Sequence, residues 1–245
     1  MTHNYPRSSV LREEGLYWLS CFNPRDFGAW GVDFHMHTSW TDGRDSIEAM
    51  HWQAVEIGLK AILFSEHARF SSASWFGEFA GAILALPSDK CKALVGVETR
   101  ITDEAGNLDL SPEVSRRCHL VVASVHRFPG QKDFDTSKLS GAEALDVELS
   151  LGLAAVTNAS VDILGHPFGM SIARYQASPT DDMFRELVRA AARHGCAVEL
   201  NSKYHAKFFK NWLAIAIEEG ARVSLGSDAH CIEDLTSLRA LGELE

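Results

Sequence analysis

Short apolar runs recur along the chain, and stretches with helical spacing separate them. The first run ends at His35 and His37, and the last is followed by Asp228 and His230. The runs between them carry other residues that bind metal ions in proteins: His67, Glu98, His126 and His166. The alternation of strand and helix predicts a parallel sheet covered by helices. Metal-ligating residue types at the strand ends then predict a multi-metal hydrolytic site at one mouth of a barrel.

These patterns predict seven strands, six helices and one domain. Strands are predicted at residues 31–37, 61–67, 92–101, 119–126, 161–166, 197–202 and 222–227. Helices are predicted at residues 46–58, 74–86, 141–159, 181–195, 207–220 and 232–245, several of them closed by a glycine. Residues 102–107 are predicted to form a hairpin-like excursion. The domain is expected to span residues 31–245, and the aromatic residues of an N-terminal extension, residues 1–30, indicate that it packs on the barrel.

Composition limits the class of protein. A chain of 245 residues with 46% hydrophobic content is about the size of one β/α barrel and can bury one core. The formal net charge of −10 argues against affinity that depends on counterion release, so nucleic acid is not expected as a partner. No apolar run approaches the roughly 20 residues that a bilayer span needs, and the polar start is no secretory signal, so we expect a cytoplasmic protein without membrane contact. The cysteines, odd in number and without CxxC spacing, are predicted to be reduced thiols.

The histidines at the predicted strand ends point to metal. Side chains alternate along a strand, so His35 and His37 project to the same side and can hold one ion together. A single histidine at a strand end is more often a satisfied polar residue than a ligand. Here six of the 11 histidines occupy such ends, together with Asp42, Glu98 and Asp228. A buried layer of so many ionisable groups would be unstable without cations, and histidine with carboxylate suits zinc, iron or manganese.

An ordered set of motifs carries a family resemblance. It begins with His35-x-His37-Thr38-x-x-Thr41-Asp42-Gly43 and continues with Glu66-His67, Glu98, Ser124-Val125-His126, Gly165-His166-Pro167 and Ser227-Asp228-Ala229-His230. This set, over about residues 31–235, resembles the polymerase and histidinol phosphatase (PHP) family. The resemblance implies a single-domain α/β fold, a distorted (β/α)7 TIM-like barrel, with a phosphoesterase centre of two or three divalent metal ions.

The same resemblance implies a ligand set for each ion. A first ion would be held by four residues: His35, His37, Glu98 and Asp228. Glu98 would bridge to a second ion, whose other ligands would be His126 and His166. A third ion would be held by Asp42, His67 and His230. In catalysis, Glu98 is expected to act as the bridge, and Asp228 with His230 to help move protons.

Two positions depart from the family pattern without removing a matched ligand. Glu66 stands where aspartate is usual, and Thr41 stands where serine is usual. Residues next to ligands support the geometry of a metal site rather than binding the ion. The two departures therefore affect how the ligands are supported and leave the implied number of ions unchanged.

A phosphate ester needs positive charge beyond the metals, and arginine binds phosphate oxygens in pairs. Four basic residues near predicted strand ends are candidate substrate-binding residues: Arg69, Arg100, Arg127 and Lys203. Arg127 is favoured because it directly follows His126, although each of these side chains could instead pair with a nearby acid. Asn201 is a candidate support for the ligands. Aromatic residues near the same mouth could line a pocket for the leaving group or belong to the core: Trp40, Phe70, Trp75, Phe128, Phe168 and Tyr204.

The leading hypothesis is a metal-dependent phosphatase that hydrolyses a small phosphomonoester through a metal-bound hydroxide. Histidinol phosphate, a nucleotide, a sugar phosphate and another biosynthetic intermediate stay open as substrates. An amide or lactone hydrolase of the amidohydrolase type is an alternative, although such barrels often use a carboxylated lysine where this chain has Glu98. A phosphodiesterase or nuclease is another, weakened by the acidic charge and the lack of a sizeable insertion. A module that has lost activity is disfavoured, because all nine matched ligands are kept.

Overall fold

Seven parallel strands form one sheet in which each strand pairs with the next one along the chain. The structure is a computed structural model and describes residues 8–21, 31–129 and 139–242. The strands are β1 (Val32–Met36), β2 (Ala61–Phe64), β3 (Lys92–Arg100), β4 (Leu120–Ser124), β5 (Ile163–Leu164), β6 (Ala197–Asn201) and β7 (Arg222–Gly226). All seven lie within the predicted strand ranges, and each ends one to three residues earlier than predicted.

Hydrogen bonds between the ends of β1 and β7 bring the sheet round into a nearly closed barrel. The His37 amide donates to the Ala229 carbonyl at 2.8 Å, and the Asp228 amide donates to the His35 carbonyl at 2.9 Å. Both bonds lie at the carboxyl end of the strands, so the barrel closes beside the predicted ligands. The fold is therefore the predicted TIM-like (β/α)7 barrel.

Ten α-helices accompany the strands in the described part of the chain. They are α1 (Ser9–Cys21), α2 (Ile47–Glu56), α3 (Ala73–Leu84), α4 (Pro112–Ser115), α5 (Gly141–Val156), α6 (Gly169–Tyr175), α7 (Asp181–His194), α8 (Ser202–His205), α9 (Phe209–Glu218) and α10 (Ser237–Gly242). The sequence pattern does not predict α1, α4, α6 or α8. Helices of four and seven residues, such as α4, α8 and α6, are too short to show a helical period.

Polar side chains fix where the longer helices begin. The Ser46 side chain accepts a hydrogen bond from the Ala49 amide at 3.3 Å before α2. A reciprocal pair of hydrogen bonds between Ser140 and Glu143 opens α5. Such side chains satisfy amide groups that the first helical turn leaves without a partner. They set the starting points from which α2 and α5 cover the sheet.

The core lies between the barrel and its helices. Strands β1, β2, β4 and β6 are buried along their whole length, as expected of parallel strands that are covered on both faces. Between α7 and α9, Phe184 stacks on Trp212 with ring centroids 4.1 Å apart. The cysteines are thiols rather than disulfides, and Cys91, Cys118 and Cys196 are buried in this core. No helix within the described ranges is both long enough and apolar enough to cross a membrane.

Helix α1 lies against the amino-terminal end of the barrel, opposite the predicted site. Glu14 lies 2.7 Å from Lys92 Nζ at the start of β3 and 3.2 Å from His119 Nε2 just before β4. Arg12 Nε donates to Asp162 Oδ1, just before β5, at 3.1 Å. These ion pairs hold residues 8–21 on the barrel. Outside the described residues lie three aromatic side chains of the predicted extension: Phe22, Phe27 and Trp30.

The connection from β3 to β4 contains a hairpin-like excursion. The Thr102 amide donates to the Asn107 carbonyl at 2.8 Å, and the Asp109 amide donates to the Arg100 carbonyl at 2.9 Å. This antiparallel pairing confirms the prediction for residues 102–107. It also places the Asp109 side chain next to Arg100.

Candidate metal centre

Nine side chains converge at the carboxyl end of the barrel. They are the residues that the sequence predicts as ligands: His35, His37, Asp42, His67, Glu98, His126, His166, Asp228 and His230. Eight of them lie in a strand or shortly after its end, and Asp42 lies in the loop between β1 and α2. Their ligand-type atoms form four overlapping groups, and within each group these atoms lie within 4.8 Å of one another. The strand ends thus gather the nine side chains, as the barrel architecture predicts.

Glu98 occupies the middle of this arrangement. Its side chain is buried, and its Oε1 lies 2.8 Å from His166 Nε2, 3.0 Å from His126 Nε2 and 3.4 Å from His35 Nε2. Its other oxygen, Oε2, lies 2.9 Å from His67 Nδ1. One carboxylate therefore faces imidazoles that come from four different strands. This is the geometry that a bridging carboxylate needs.

Asp228 lies on the other side of the two β1 histidines. Its Oδ1 is 3.3 Å from His37 Nε2 and 3.7 Å from His35 Nε2. His37 Nε2 also lies 3.6 Å from Glu98 Oε2. The two histidines of the first strand therefore stand between two carboxylates. Three of these four residues, His35, His37 and Asp228, form one group of ligand atoms, whereas Glu98 groups with His35 and His166.

Asp42 gathers a further group of ligand-type atoms nearer the surface. Its Oδ2 lies 3.2 Å from His67 Nε2 and 3.5 Å from His230 Nε2. Its Oδ1 lies 4.0 Å from His37 Nδ1. The Asp42 side chain is 52% exposed, whereas Glu98 is buried. This group is therefore the most accessible part of the centre.

Buried nitrogen atoms without hydrogen-bond partners test whether cations fit here. Within the described residues, His35 Nε2 and both ring nitrogens of His37 are buried and receive no hydrogen bond. Leaving buried polar atoms unsatisfied is costly, and each such atom calls for a partner. The two Nε2 atoms face the Glu98 and Asp228 carboxylates, and His37 Nδ1 faces Asp42, so cations between them would satisfy both kinds of group. Histidine and carboxylate are also the donor types that zinc, iron and manganese accept.

Hydrogen bonds on the far side of two rings fix which nitrogen faces the centre. His35 Nδ1 lies 2.9 Å from Glu199 Oε1, and His230 Nδ1 lies 2.8 Å from the carbonyl oxygen of Asp228. A proton on Nδ1 satisfies each acceptor, so Nε2 is the ring nitrogen that would bind an ion in the group of ligand atoms. Metal-binding histidines are commonly oriented in this way.

Glu199, at the end of β6, is a supporting residue that the sequence reasoning missed. It accepts hydrogen bonds from the His166 amide and from Asn201 Nδ2, the latter at 3.0 Å, besides contacting His35. Gly226 makes room for it, because a Cβ atom there would lie 1.8 Å from Glu199 Oε1. Asn201, predicted as a support, contacts the ligands through Glu199. An acidic residue at a predicted strand end was the available signal.

Electrostatics keep Glu98 and His37 in the forms that bind cations. Burial alone would raise the pKa of Glu98, but the facing His126 and His35 outweigh it and hold that pKa well below its ordinary value. Burial lowers the pKa of His37 to about 4, even though Asp228 acts in the opposite direction. An ionised carboxylate and a neutral imidazole are the forms that bind a metal ion. Both are therefore present at neutral pH. At His35, His67 and His166 burial would lower the pKa, but the facing carboxylates outweigh it and raise the pKa, so an ion bound there would displace protons.

A cavity of about 160 Å³ opens onto the converging side chains. Its lining residues outside the nine include Met170, Arg174, Lys203 and Tyr204. Lys203 Nζ donates to Asp228 Oδ2 at 2.7 Å, and the Tyr204 hydroxyl donates to the same oxygen at 3.3 Å. Asp228 thus directs Oδ1 to the β1 histidines and Oδ2 to the cavity wall. Two cationic side chains, Arg174 and Lys203, are within reach of a bound anion.

Of the four predicted substrate-binding residues, only Lys203 lines this cavity. Arg100 donates to Asp109 Oδ2 at 3.1 Å instead, because the hairpin brings that carboxylate beside it. Arg69 and Arg127 are exposed side chains outside the cavity wall. The structure adds Arg174 of α6, which the sequence reasoning missed because so short a helix has no readable period.

The aromatic residues considered for a leaving-group pocket are mostly elsewhere. Tyr204 lines the cavity, whereas Phe128 and Phe168 are buried in the core. Trp40 and Trp75 stack on each other with centroids 6.0 Å apart. Phe70 also lies outside the cavity wall, and it is 66% exposed. The aromatic residues other than Tyr204 therefore serve packing or lie on the surface.

The fold and the site together define a TIM-like barrel with a clustered candidate metal centre. Comparison with known proteins identifies the family to which the chain belongs. The family model described as PHP domain matches residues 33–203. The chain belongs to the PHP domain family. The match begins just before His35 and ends at Lys203 of the cavity wall.

Two curated relatives of the chain are a polymerase and a probable phosphatase. The chain is 28% identical over 216 residues to the DNA polymerase/3'-5' exonuclease PolX of Bacillus subtilis (strain 168), covering 84% of this chain and 35% of the polymerase. It is 28% identical over 214 residues to a probable phosphatase of Thermoanaerobacter sp. (strain X514), covering 83% of this chain and 80% of that protein. The chain therefore spans about a third of one relative and most of the other.

Two solved structures share the fold. Histidinol phosphate phosphatase from Lactococcus lactis, complexed with zinc, L-histidinol and phosphate, superposes with a TM-score of 0.66 at 21% identity, covering 87% of this chain and 93% of that one. A putative histidinol phosphatase from Listeria monocytogenes gives a TM-score of 0.67 at 18% identity, covering 83% and 97%. At these identities the likeness establishes the barrel architecture.

Proposed function

We propose that this chain is a metal-dependent phosphoesterase that hydrolyses a small phosphomonoester. The observation that carries this proposal is the buried Glu98 carboxylate, which faces four imidazoles in the middle of nine ligand-type residues. Relatives named as probable phosphatases, and a structural neighbour that holds zinc and phosphate, support the same reaction class. The barrel fold alone would not support this reaction class, since the same fold hosts many chemistries.

In this proposal nine residues hold two or three divalent ions, with zinc, manganese or iron as the candidates. The first ion would be held by His35, His37, Glu98 and Asp228, and the second by Glu98, His126 and His166. The third would be held by Asp42, His67 and His230. When bound, such ions supply Lewis acidity toward phosphoryl oxygens and ionise water near neutral pH.

The residues of the cavity wall would bind and orient the ester. Lys203 Nζ, now 2.7 Å from Asp228 Oδ2, can turn to a phosphoryl oxygen of a bound substrate without leaving the cavity. Arg174 can offer two parallel hydrogen bonds to the same group or to an acidic group on the alcohol portion. Asp228 and His230 stand where protons would have to move. A cavity of about 160 Å³ suits a small ester.

Protein purified without a chelator is expected to carry two or three transition-metal ions per chain. The physical reason is that His35 Nε2, both ring nitrogens of His37 and Glu98 Oε2 are buried without a hydrogen-bond partner. Elemental analysis measures the content directly. Less than one ion per chain, together with no binding of added zinc, manganese or iron, would contradict the proposed centre.

Substrate class is tested with a panel of phosphomonoesters, phosphodiesters, amides and lactones on protein loaded separately with zinc, manganese and iron. Hydrolysis of one or more phosphomonoesters at rates well above those of the other classes is the expected result. Metal-loaded protein that cleaves only amides or lactones would replace the phosphatase by an amidohydrolase-type enzyme.

Replacing Lys203 or Arg174 by methionine is expected to lower kcat/KM for a phosphomonoester while leaving metal content unchanged. A hydrogen bond to a charged group contributes roughly 1.5–3 kcal/mol, which corresponds to about 10- to 150-fold in kcat/KM. Arg127→Met is the matched control, because Arg127 is exposed outside the cavity wall and should change kcat/KM less. A larger loss of kcat/KM in Arg127→Met than in the other two variants would support Arg127 as the substrate-binding residue, as the sequence predicts.

A phosphodiesterase or exonuclease is the second candidate. It is favoured by the alignment of most of this chain with a polymerase that is also named an exonuclease. The small cavity and the formal net charge of −10 weaken it, since a nucleic-acid strand needs a long and positively charged groove. Release of nucleotides from single-stranded DNA faster than release of phosphate from any monoester would establish this alternative.

A further inference from the structure

A further buried carboxylate, Glu66, lies beside the candidate metal centre without joining any of its groups of ligand atoms. It directly precedes His67, yet its side chain contacts the loop after β1. The Thr38 amide donates to Glu66 Oε1 at 2.7 Å, and the Thr38 hydroxyl donates to the same oxygen. The Thr41 hydroxyl donates to Oε2. Three donors from one short loop therefore converge on both oxygens of a buried carboxylate, which is a strong and directional arrangement.

That loop is a tight turn that carries Asp42. The Thr38 carbonyl accepts hydrogen bonds from the Thr41 amide at 3.1 Å and from the Gly43 amide at 2.9 Å. Gly43 lies so close to the end of β1 that a Cβ atom there would come 2.6 Å from the His37 carbonyl oxygen. The turn is thus held between the backbone of β1 and the Glu66 carboxylate. Asp42 lies between two residues whose positions these contacts fix.

Within the turn the Thr41 hydroxyl lies 3.3 Å from Asp42 Oδ1, and beyond the turn Asp42 has few contacts. Its side chain is 52% exposed, and its oxygens face the rings of His67 and His230, which are 30% exposed themselves. The other carboxylates of the centre, Glu98 and Asp228, are buried. The position of Asp42 therefore depends on the turn more than on packing around its own side chain.

We propose that Glu66 and Thr41 form a brace that positions Asp42 for the ion it would share with His67 and His230. The brace sets the affinity of that ion without touching it, so both are positioning residues. The inference rests on the proposed metal centre. Glu66 and Thr41 are in direct contact, because the Thr41 hydroxyl donates to Glu66 Oε2.

The test is Thr41→Val, which removes the hydroxyl at nearly constant volume, with Thr41→Ser as the matched control that keeps it. Thr41 is half-buried in a loop, so both variants are expected to fold. Bound zinc is measured after equilibration at stepped free-zinc concentrations set by a chelator, and kcat and KM are measured on the same samples. In Thr41→Val, half occupancy of one ion should require a free-zinc concentration roughly 10- to 100-fold higher than in the parent. This is the loss of metal affinity expected when a group that supports a ligand is removed. The remaining ions should titrate as in the parent, and Thr41→Ser should match the parent.

Two further variants identify the ion and check the carboxylate. Asp42→Asn should lose the same ion, and Thr41→Val/Asp42→Asn should lose no more than Asp42→Asn alone, because the two residues act in one chain of contacts. Glu66→Asp, one methylene shorter, should weaken the same ion as Thr41→Val does. If these variants lose activity, the loss should appear as a lower kcat with an unchanged KM.

The outcomes separate the brace from the metal centre itself. A parent protein that binds no zinc contradicts the proposed function. A parent that binds zinc, with Thr41→Val binding every ion as the parent does, overturns the brace alone. Equal weakening of all ions, or a lower melting temperature with unchanged zinc binding, would show a merely structural role and also overturn it.

Discussion

Replacing Glu98 by glutamine is expected to abolish nearly all activity and to lower metal content. Glutamine keeps the shape of the side chain and removes the negative charge that faces His35, His67, His126 and His166. If two ions each contribute several kcal/mol to the transition state, their displacement corresponds to about 10⁴-fold or more in kcat. Elemental analysis and phosphatase kinetics on the same preparation measure both effects.

A matched control separates loss of the bridge from general effects of the substitution. Glu186→Gln makes the same chemical change on the exposed side of α7 and should leave metal content and kcat unchanged. Far-ultraviolet circular dichroism of both variants checks that the barrel is intact. Near-normal turnover in Glu98→Gln, with ions retained, would show that Glu98 does not bridge.

The barrel was predictable because each buried strand reads as an apolar run. β5 shows the limit of that signal, because residues 161–166 were predicted and only Ile163–Leu164 form the strand. His166 has a φ of 23°, a left-handed value that a non-glycine residue rarely adopts, and it turns the chain out of the sheet. No feature of the local sequence specifies such a turn. Tertiary contacts, including the His166 amide bonded to Glu199, hold it.

Residues at strand ends could be placed from sequence, because the carboxyl ends of parallel strands meet at one mouth. His35, His37 and Glu98 follow from that rule alone. Asp42 does not, since it lies in a loop, and its place in the ligand set for a third ion comes from the family resemblance. Periodicity also does not reveal that buried carboxylates support the ligands from behind, as Glu199 does for His35.

Residues on the substrate side were harder to predict. Proximity in sequence suggested Arg100 and Arg127, but a long side chain can turn either toward the mouth or away from it. For Arg100 the deciding contact is Asp109, which is close only because of the hairpin. Arg174 reaches the cavity from α6, a helix of seven residues that begins after the left-handed Phe168. Such placements depend on connections between strands, which periodicity does not describe.

Replacing Asp228 by asparagine is expected to produce the second largest loss. Asp228 has a φ of 54°, in the left-handed region that asparagine tolerates better than most residues, so the backbone turn should persist. The amide that replaces the carboxylate is neutral and attracts a cation less strongly, whereas the parent carboxylate faces His37 and Lys203 with its two oxygens. Removing one electrostatic contact to a reacting centre costs about 10²–10³ in kcat, and a weakened ion adds to that loss.

Asp228→Ala distinguishes the charge from the backbone. Alanine lacks both the charge and the side-chain oxygen, and it adds strain at a positive φ of 54°, so it should lose at least as much kcat as Asp228→Asn and have a lower melting temperature. Metal content should fall in both variants, and at least as far in Asp228→Ala, because only asparagine keeps an oxygen toward His35 and His37. If Asp228→Asn keeps the full metal content and loses activity only through a raised KM, Asp228 would be a substrate-binding residue that acts with Lys203, and the first ion would need a different ligand.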